Sequence, residues 1–369
     1  MGHSKLKIKN MSRSERLHVL RENGTIDERF DHAHEQSLSG LAREMSNSIE
    51  NSIGLMPVPV GVATNFAING RPTVVPIATE ERGIISACSK AAKMCLPAGF
   101  SASAHRFSSM MGEIIFAHKG NDLDATCLWL QLQTDGQERI QRLLNDLPPE
   151  KTLTLLDFNV HTVDGLAVVD VRFATRNTMG AGRVTRLAEQ IGEVLTPLAD
   201  IEYVAAICSN LESGWQVRSS ASWETDEPTA ERIMLMQKLA SRHRPRNITH
   251  LKGIMNAMAG VALATGQDYR AILATFLEIA LRQPGQSPMT KYNYRGGKIF
   301  GELEAWVPVG EQGGACQYQF PRIYQEMISN YSARQLAMTI ATAGLAANFG
   351  ALHCLVTDGL SAGHAKTRK

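Results

Sequence analysis

Hydrophobic and polar positions follow different rhythms in different parts of the chain. Residues 1–35 are polar and charged, with short helix-like pieces at 12–21 and 27–34, a composition suited to a peripheral arm. In residues 37–53, Leu38, Leu41, Met45 and Ile49 recur at helical spacing, and Gly54 supplies a stop. Between residues 58 and 78, short alternating runs flank Asn69-Gly70, a dipeptide that accepts the positive φ angles of a tight hairpin. An apolar helix is expected over residues 84–95.

The rhythm changes near residue 105. Runs at 112–117, 126–132, 153–158, 165–173 and 204–208 read as strands, interleaved with amphipathic helices at 138–147 and 183–195. After residue 218 helical spacing returns. A helix at 229–241 leads through a basic loop into an apolar run at 251–265, which stops near Gly266. A strand at 299–307 is followed by two apolar helices, 333–343 and 345–356, the first with Ser332 as N-cap and Gln335 at N3. A chain of 369 residues exceeds the ~250–300 at which one core usually stops growing. The expected fold is α+β: an arm (1–36), a large mainly helical domain (37–105 and 219–369), and a smaller α+β nucleotide-binding domain inserted in it (106–218).

The run at 251–265 carries the first chemical signal. Its only strongly polar side chains are Lys252 and Asn256, spaced i, i+4 on one helix face. An ammonium buried there needs a partner or a job, because taking it out of water is costly. Two readings stand: a lysine that snorkels from the first turn into water, and one that points with Asn256 into a pocket. Asp268, the nearest acid, lies past the helix stop, so the two meet only if the chain bends back or both surround a ligand. Glu80 and Glu81 directly precede the helix at 84–95, where carboxylates are stabilised by the helix dipole with or without chemistry. Asn177-Thr178-Met179-Gly180-Ala181-Gly182 lies between a strand and a helix; its small residues let a phosphate approach backbone amides, or it is an ordinary loop. There is no GxGxxG to mark an ordinary Rossmann crevice.

Charge and cysteines narrow the partners. With 38 basic against 36 acidic side chains, the chain has no field suited to nucleic acid or an anionic membrane, which leaves small molecules or a second copy of itself. Six cysteines without CxxC pairs, and no apolar leader, fit reduced thiols in the cytoplasm. No uninterrupted apolar run reaches the ~18 residues that read as a membrane span. No metal site is expected.

Several stretches together resemble the bacterial (class II) hydroxymethylglutaryl-CoA reductases over residues 37–364. The motifs that carry the resemblance are ENSIG (50–54), VPIATEE (75–81), LKGIMN (251–256), ALATGQD (262–268) and DGLSAGH (358–364). The chain departs from the family pattern at Arg82-Gly83, where Pro-Ser is usual, and at Asn177 and Gly182, which replace the Asp and Asn of the cofactor loop while Met179, Gly180 and Ala181 are kept. It also has Gly313-Gly314-Ala315-Cys316 and Phe320-Pro321 in place of Gly-Gly-x-Thr and His-Pro, and it lacks the C-terminal helical flap.

The resemblance implies reduction of hydroxymethylglutaryl-CoA to mevalonate and CoA in two hydride steps, through a hemithioacetal and an aldehyde. Lys252 then stabilises the developing oxyanion, Glu81 supplies protons with its pKa raised by burial, Asp268 holds lysine and glutamate in register, and His364 protonates the CoA thiolate. Arg246, Asn256 and Asn210 orient the substrate. Asn177, Met179, Gly180, Ala181 and Gly182 bind the cofactor, with Gln141 and Arg142 at its adenosine ribose. The absence of an acid at 141 favours NADPH, with NADH as the alternative. The resemblance also implies a homodimer or higher oligomer in which the glutamate and lysine regions meet across an interface, and in which a neighbouring subunit helps to place His364. A relative acting on another acyl-CoA, and a non-catalytic acyl-CoA binder, remain as alternatives.

Overall fold

The structure, a computed structural model, describes residues 12–22, 48–106, 109–118, 132–198, 201–211, 216–281 and 289–359. The chain divides into two compact units, residues 1–59 and 60–369. In the first, helix α1 (Arg13–Glu22) starts with a reciprocal cap: Ser12 N donates to Glu15 Oε2 at 2.6 Å, and Glu15 N donates to Ser12 Oγ at 3.3 Å. Residues 48–51 form a turn with Asn51 at φ 54°, so the helix expected to run to residue 53 does not continue there. The pieces expected at 27–34 and 37–47 lie outside the described residues.

The second unit is built on two sheets. Strands β1 (Val60–Ile68) and β2 (Arg71–Ala78) form the expected hairpin, with Asn69 and Gly70 at φ 52° and 74°. After α2 (Ile84–Met94), β3 (Phe100–Arg106) runs beside β1. The chain then builds a separate sheet from β4 (Ser109–His118), β5 (Thr154–Val163), β6 (Leu166–Ala174) and β7 (Ile201–Cys208), in the order β5-β6-β4-β7. Helix α3 (Gln137–Asp146) precedes β5, and α4 (Ala181–Leu195) links β6 to β7. Strand β8 (Gln216–Glu224) returns beside β3, antiparallel to it. Helices α5 (Glu227–Arg242), α6 (Arg244–Ala264) and α7 (Tyr269–Leu281), the hairpin β9 (Thr290–Arg295) and β10 (Lys298–Trp306), then α8 (Gln319–Glu326) and α9 (Ala333–Val356) complete the unit. The larger sheet reads β2-β1-β3-β8-β10-β9.

Each sheet has its own core. In β6, Ala167, Val169, Val171 and Phe173 are buried at every second position and meet Val184, Leu187, Ala188 and Ile191 of α4. On the larger sheet, Trp223 of β8 stacks on Phe349 of α9 at 3.8 Å and donates Nε1–H to Ala91 O of α2 at 2.9 Å, which ties three elements together.

The α+β class holds, and a six-stranded sheet runs through the large part beside its helices. Strands β3 and β8 read SASA and RSSAS; serine and alanine carry little strand preference, so pairing rather than propensity makes them strands. The two helices expected at 333–343 and 345–356 are one, because Gly344 serves packing and not a break. A β-carbon there would stand 2.7 Å from Met258 Cγ of α6. That helix is long and apolar enough to cross a bilayer, but 72% of its apolar window is buried inside the protein, as befits a core helix. The strand expected at 126–132 falls outside the described residues except Leu132, which opens a π-helical turn.

Candidate active site

Helix α6 does not bury every face. His250, Leu251, Ile254, Met255, Ala257, Met258 and Val261 are buried, while Thr249, Lys252, Gly253 and Asn256 form a stripe that opens into a cavity of about 490 Å³. Lys252 shares the cavity wall with Asn256, as the pocket reading expected, and its side chain is 61% exposed, as the reading of a lysine reaching water expected. Thr249 and Gly253, which complete the stripe, give little polar contrast in the sequence.

Glu81 is brought to this stripe by the strand before it. Gly260 lets α6 lie directly on β2, since a β-carbon there would stand 2.8 Å from Ala78 O. The chain then turns through Thr79–Glu81, held by Glu81 N donating to Thr79 Oγ1 at 3.0 Å, and enters α2 at Gly83 with φ 94°. That left-handed angle accounts for glycine at a position where a side chain would be strained. Glu81 Oε2 ends 3.5 Å from Lys252 Nζ. The glutamate and lysine regions thus meet within one chain, which corrects the expectation that an interface is needed to join them. Glu81 is 50% exposed, so the burial expected to tune it is not supplied by this chain alone.

Arg246 and Asn256 line the same cavity. Arg246 Nε is buried without a hydrogen-bond partner among the described residues, and burial holds the guanidinium below its ordinary pKa. One turn on, His250 is 1% exposed and hydrogen-bonds Thr290 Oγ1 at 2.6 Å, with Asn348 Nδ2 of α9 at 3.4 Å from its Nε2. Asn348 Oδ1 in turn accepts from Tyr292 OH at 2.8 Å. Burial, and secondarily the charge of Arg246, push the His250 pKa down to about 3, so the ring is neutral. The unfolded chain binds a proton at this histidine below its ordinary value of about 6.5 and the folded chain does not, so stability falls as pH drops from there toward about 3. Urea unfolding at about pH 8 and about pH 5 should show the parent losing more stability than His250→Gln, and equal losses would refute this role.

Other expected site residues stand elsewhere. Asp268 does not line this cavity; its Oδ1 accepts from Arg270 N at 3.0 Å and Ala271 N at 3.3 Å, capping α7, and pairs with Arg270 Nε at 3.0 Å. The expected contact with Lys252 is thus replaced by local amides at the start of α7, which reach an aspartate in that position without any bend of the chain. Asn210, exposed after β7, also lies outside the cavity wall. His364 falls outside the described residues.

Of the cofactor candidates, Gln141 and Asn177 line a second cavity of about 870 Å³ between α3 and the loop after β6, while Met179, Gly180, Ala181 and Gly182 are not on its wall. Gln141, Asn145, Thr175, Arg176, Asn177, Thr178 and Arg183 line it, whereas Arg142 does not. Thr175 is 2% exposed, with Oγ1 lacking a partner among the described residues. Met179 leads into α4, Gly180 takes φ 82° directly over Thr175, and Ala181 and Gly182 form the first turn, with no side chain capping the helix. An uncapped helix start beside two arginines fits a phosphate-bearing group. The sequence reading missed His250, Asn348, Thr175 and Arg183. Asn348 had a legible signal: it is the one amide in an otherwise apolar stretch of α9, the same pattern that marked Lys252.

A carboxylate and an amine facing a buried guanidinium, with a separate polar groove at a helix start, define an acid–base enzyme for an anionic substrate and a phosphate-bearing cofactor. The chain belongs to the hydroxymethylglutaryl-coenzyme A reductase family, whose model matches residues 12–369. It is 31% identical to the 3-hydroxy-3-methylglutaryl-coenzyme A reductase of Archaeoglobus fulgidus over 86% of this chain and 74% of that protein. It is 27% identical to the probable reductase of Borreliella burgdorferi, over 86% and 75%. Among solved structures, the class II reductase of Streptococcus pneumoniae bound to NADPH in open conformations matches with a TM-score of 0.79 and 25% identity, over 94% of this chain and 98% of that one. A second structure of the Streptococcus pneumoniae enzyme gives 0.80 and 26%, over 97% and 88%.

Proposed function

We propose that this protein reduces hydroxymethylglutaryl-CoA to mevalonate and CoA, with two NADPH consumed per turnover. The observation that carries the reading is the Glu81–Lys252 contact of 3.5 Å in a cavity that also holds Arg246. Arg246 grips the free carboxylate of the substrate, because a guanidinium forks onto two oxygens and satisfies its buried Nε in doing so. Asn256, on the wall beside Lys252, orients the acyl group.

Lys252 stabilises the negative charge that develops on the carbonyl oxygen, and Glu81 gives that oxygen a proton. NADPH, when bound, supplies the hydride for both reductions. The hemithioacetal from the first loses its hydroxyl proton as its C–S bond breaks, CoA leaves as a thiolate, and His364 protonates the sulfur. The aldehyde is reduced next at the same lysine, again with a proton from Glu81. Asp268 joins the set by turning to Lys252, which gives up its surface pair with Arg270 and its cap on α7, a cost of roughly 1–2 kcal/mol.

The groove lined by Gln141 and Asn177, beside the start of α4 at Met179, Gly180, Ala181 and Gly182, would hold the cofactor. Arg176 and Arg183 on its wall, and the lack of an acid at 141, suit the 2′-phosphate of NADPH. It forms part of an inserted domain, residues 106–218, between β3 and β8. The protein works in the cytoplasm as a homodimer; five free cysteines among the described residues support the first, and exposed Tyr269, Leu273 and Leu277 along one face of α7 the second.

The test follows NADPH absorbance with hydroxymethylglutaryl-CoA. Two NADPH should disappear per mevalonate formed, with NADH a poorer donor. No turnover with either nucleotide defeats the reading.

A further inference from the structure

One buried side chain outside the acid–base set joins the lysine helix to the cofactor loop. Gln267, between α6 and Asp268, is 8% exposed. Its carboxamide pairs with both main-chain groups of Gly310, as a neighbouring strand would: Nε2 donates to Gly310 O at 3.0 Å, and Gly310 N donates to Oε1 at 2.9 Å. The same Nε2 lies 2.9 Å from Cys316 Sγ. Next along, Glu311 N donates to Asn177 O at 3.0 Å, and Glu311 Oε1 accepts from Ala333 N, the first residue of α9, at 2.9 Å. Gly310 is also where this strap touches the loop most closely: a β-carbon there would stand 2.8 Å from Met179 N and 3.1 Å from Thr178 Cα.

A buried amide is costly unless its donor and acceptor are both used. Here the acceptor is spent on the backbone of a strap whose next residue holds the loop at 177–179, and the donor on that strap and on Thr265 O at 3.2 Å. The helix from Lys252 to Ala264 is a rigid rod that ends three residues before Gln267, so the clamp fixes the distance between lysine and loop. We propose that Gln267 is a positioning residue: through Gly310 it sets the Asn177–Met179 loop, and the cofactor proposed to sit on it, relative to Lys252. This rests on the reading of the site given above. It touches neither substrate nor cofactor, and its effect is on the rate of hydride transfer, where a misplacement of ~1 Å costs ~10²-fold.

Two variants of the full chain test it. Gln267→Met keeps the volume and removes the hydrogen bonds to Gly310 along with those to Thr265 O and Cys316 Sγ, and Gly310→Ala presses a methyl against Met179 without removing a buried polar group. Turnover, the dissociation constants of NADPH and hydroxymethylglutaryl-CoA, and melting temperature are measured for each. The expected result is a fall in kcat of roughly 10- to 100-fold in both, with both dissociation constants close to those of the parent. Parent-like kcat in either folded variant overturns the proposal. So does a loss of NADPH affinity that matches the loss of rate, which would make Gln267 part of the groove, and so does failure of both variants to fold, which would make the clamp a folding element. A parent chain that cannot reduce hydroxymethylglutaryl-CoA defeats the site reading itself; an active parent with unaffected variants defeats only the clamp.

Discussion

Lys252→Ala should abolish measurable turnover, lowering kcat by at least about 10²–10³-fold, while hydroxymethylglutaryl-CoA still binds. The lysine is the cation beside Glu81 in the cavity, so the charge that grows on the carbonyl oxygen in each reduction loses its stabilising partner. Substrate affinity rests elsewhere, on Arg246 and its buried donor. The fold should hardly notice: Lys252 is 61% exposed, and an ion pair open to water contributes at most about 1 kcal/mol. Loss of rate with an unchanged melting temperature and a measurable substrate dissociation constant is therefore the expected combination. Lys252→Arg should not restore the parent rate, because a planar fork does not replace a compact ammonium at one oxygen. An active Lys252→Ala enzyme would refute the assigned role.

How far the sequence could be read depended on whether a residue's environment was local. Lys252 and Asn256 stood out because two polar side chains at i, i+4 interrupt an apolar run, and the structure puts both on one open stripe. The hairpin at Asn69-Gly70 and the Ser332 cap were legible for the same reason, since each is decided by a few neighbouring residues. The degree of exposure was not legible. Whether α6 buries one more face is settled by β2 and α9, which are distant in sequence and are let in close by Gly260 and Gly344. Strands β3 and β8 escaped for a related reason: serine-rich and more than a hundred residues apart, they become strands by pairing with each other. Asp268 shows the converse failure. A motif suggested a partner for it across the site, while the start of α7 offered amides in its own turn, and the local bonds won. Gln267, one residue earlier in the same motif, drew no attention because nothing in the sequence reveals that both ends of its amide meet Gly310.

The sharpest separation of roles should come from Glu81→Gln, which keeps the shape and hydrogen-bonding capacity of the side chain but has no proton to give. General acid catalysis of this kind is worth ~10²–10⁴-fold, and kcat should fall by that amount with binding of both substrates retained. Glu81 is half exposed at 3.5 Å from Lys252, so its replacement opens no cavity and strands no buried charge. The proposed mechanism asks Glu81 for a proton in both reductions and His364 only for the departing sulfur. Assayed on hydroxymethylglutaryl-CoA and separately on the aldehyde intermediate, Glu81→Gln should be slow with both, whereas His364→Gln should be slow with the thioester alone. Glu81→Gln reducing the aldehyde at the parent rate would remove Glu81 from the second step. It would leave that proton to Asp268 or to water, and the geometry favours neither, because Asp268 is engaged with Arg270 and stands outside the cavity wall.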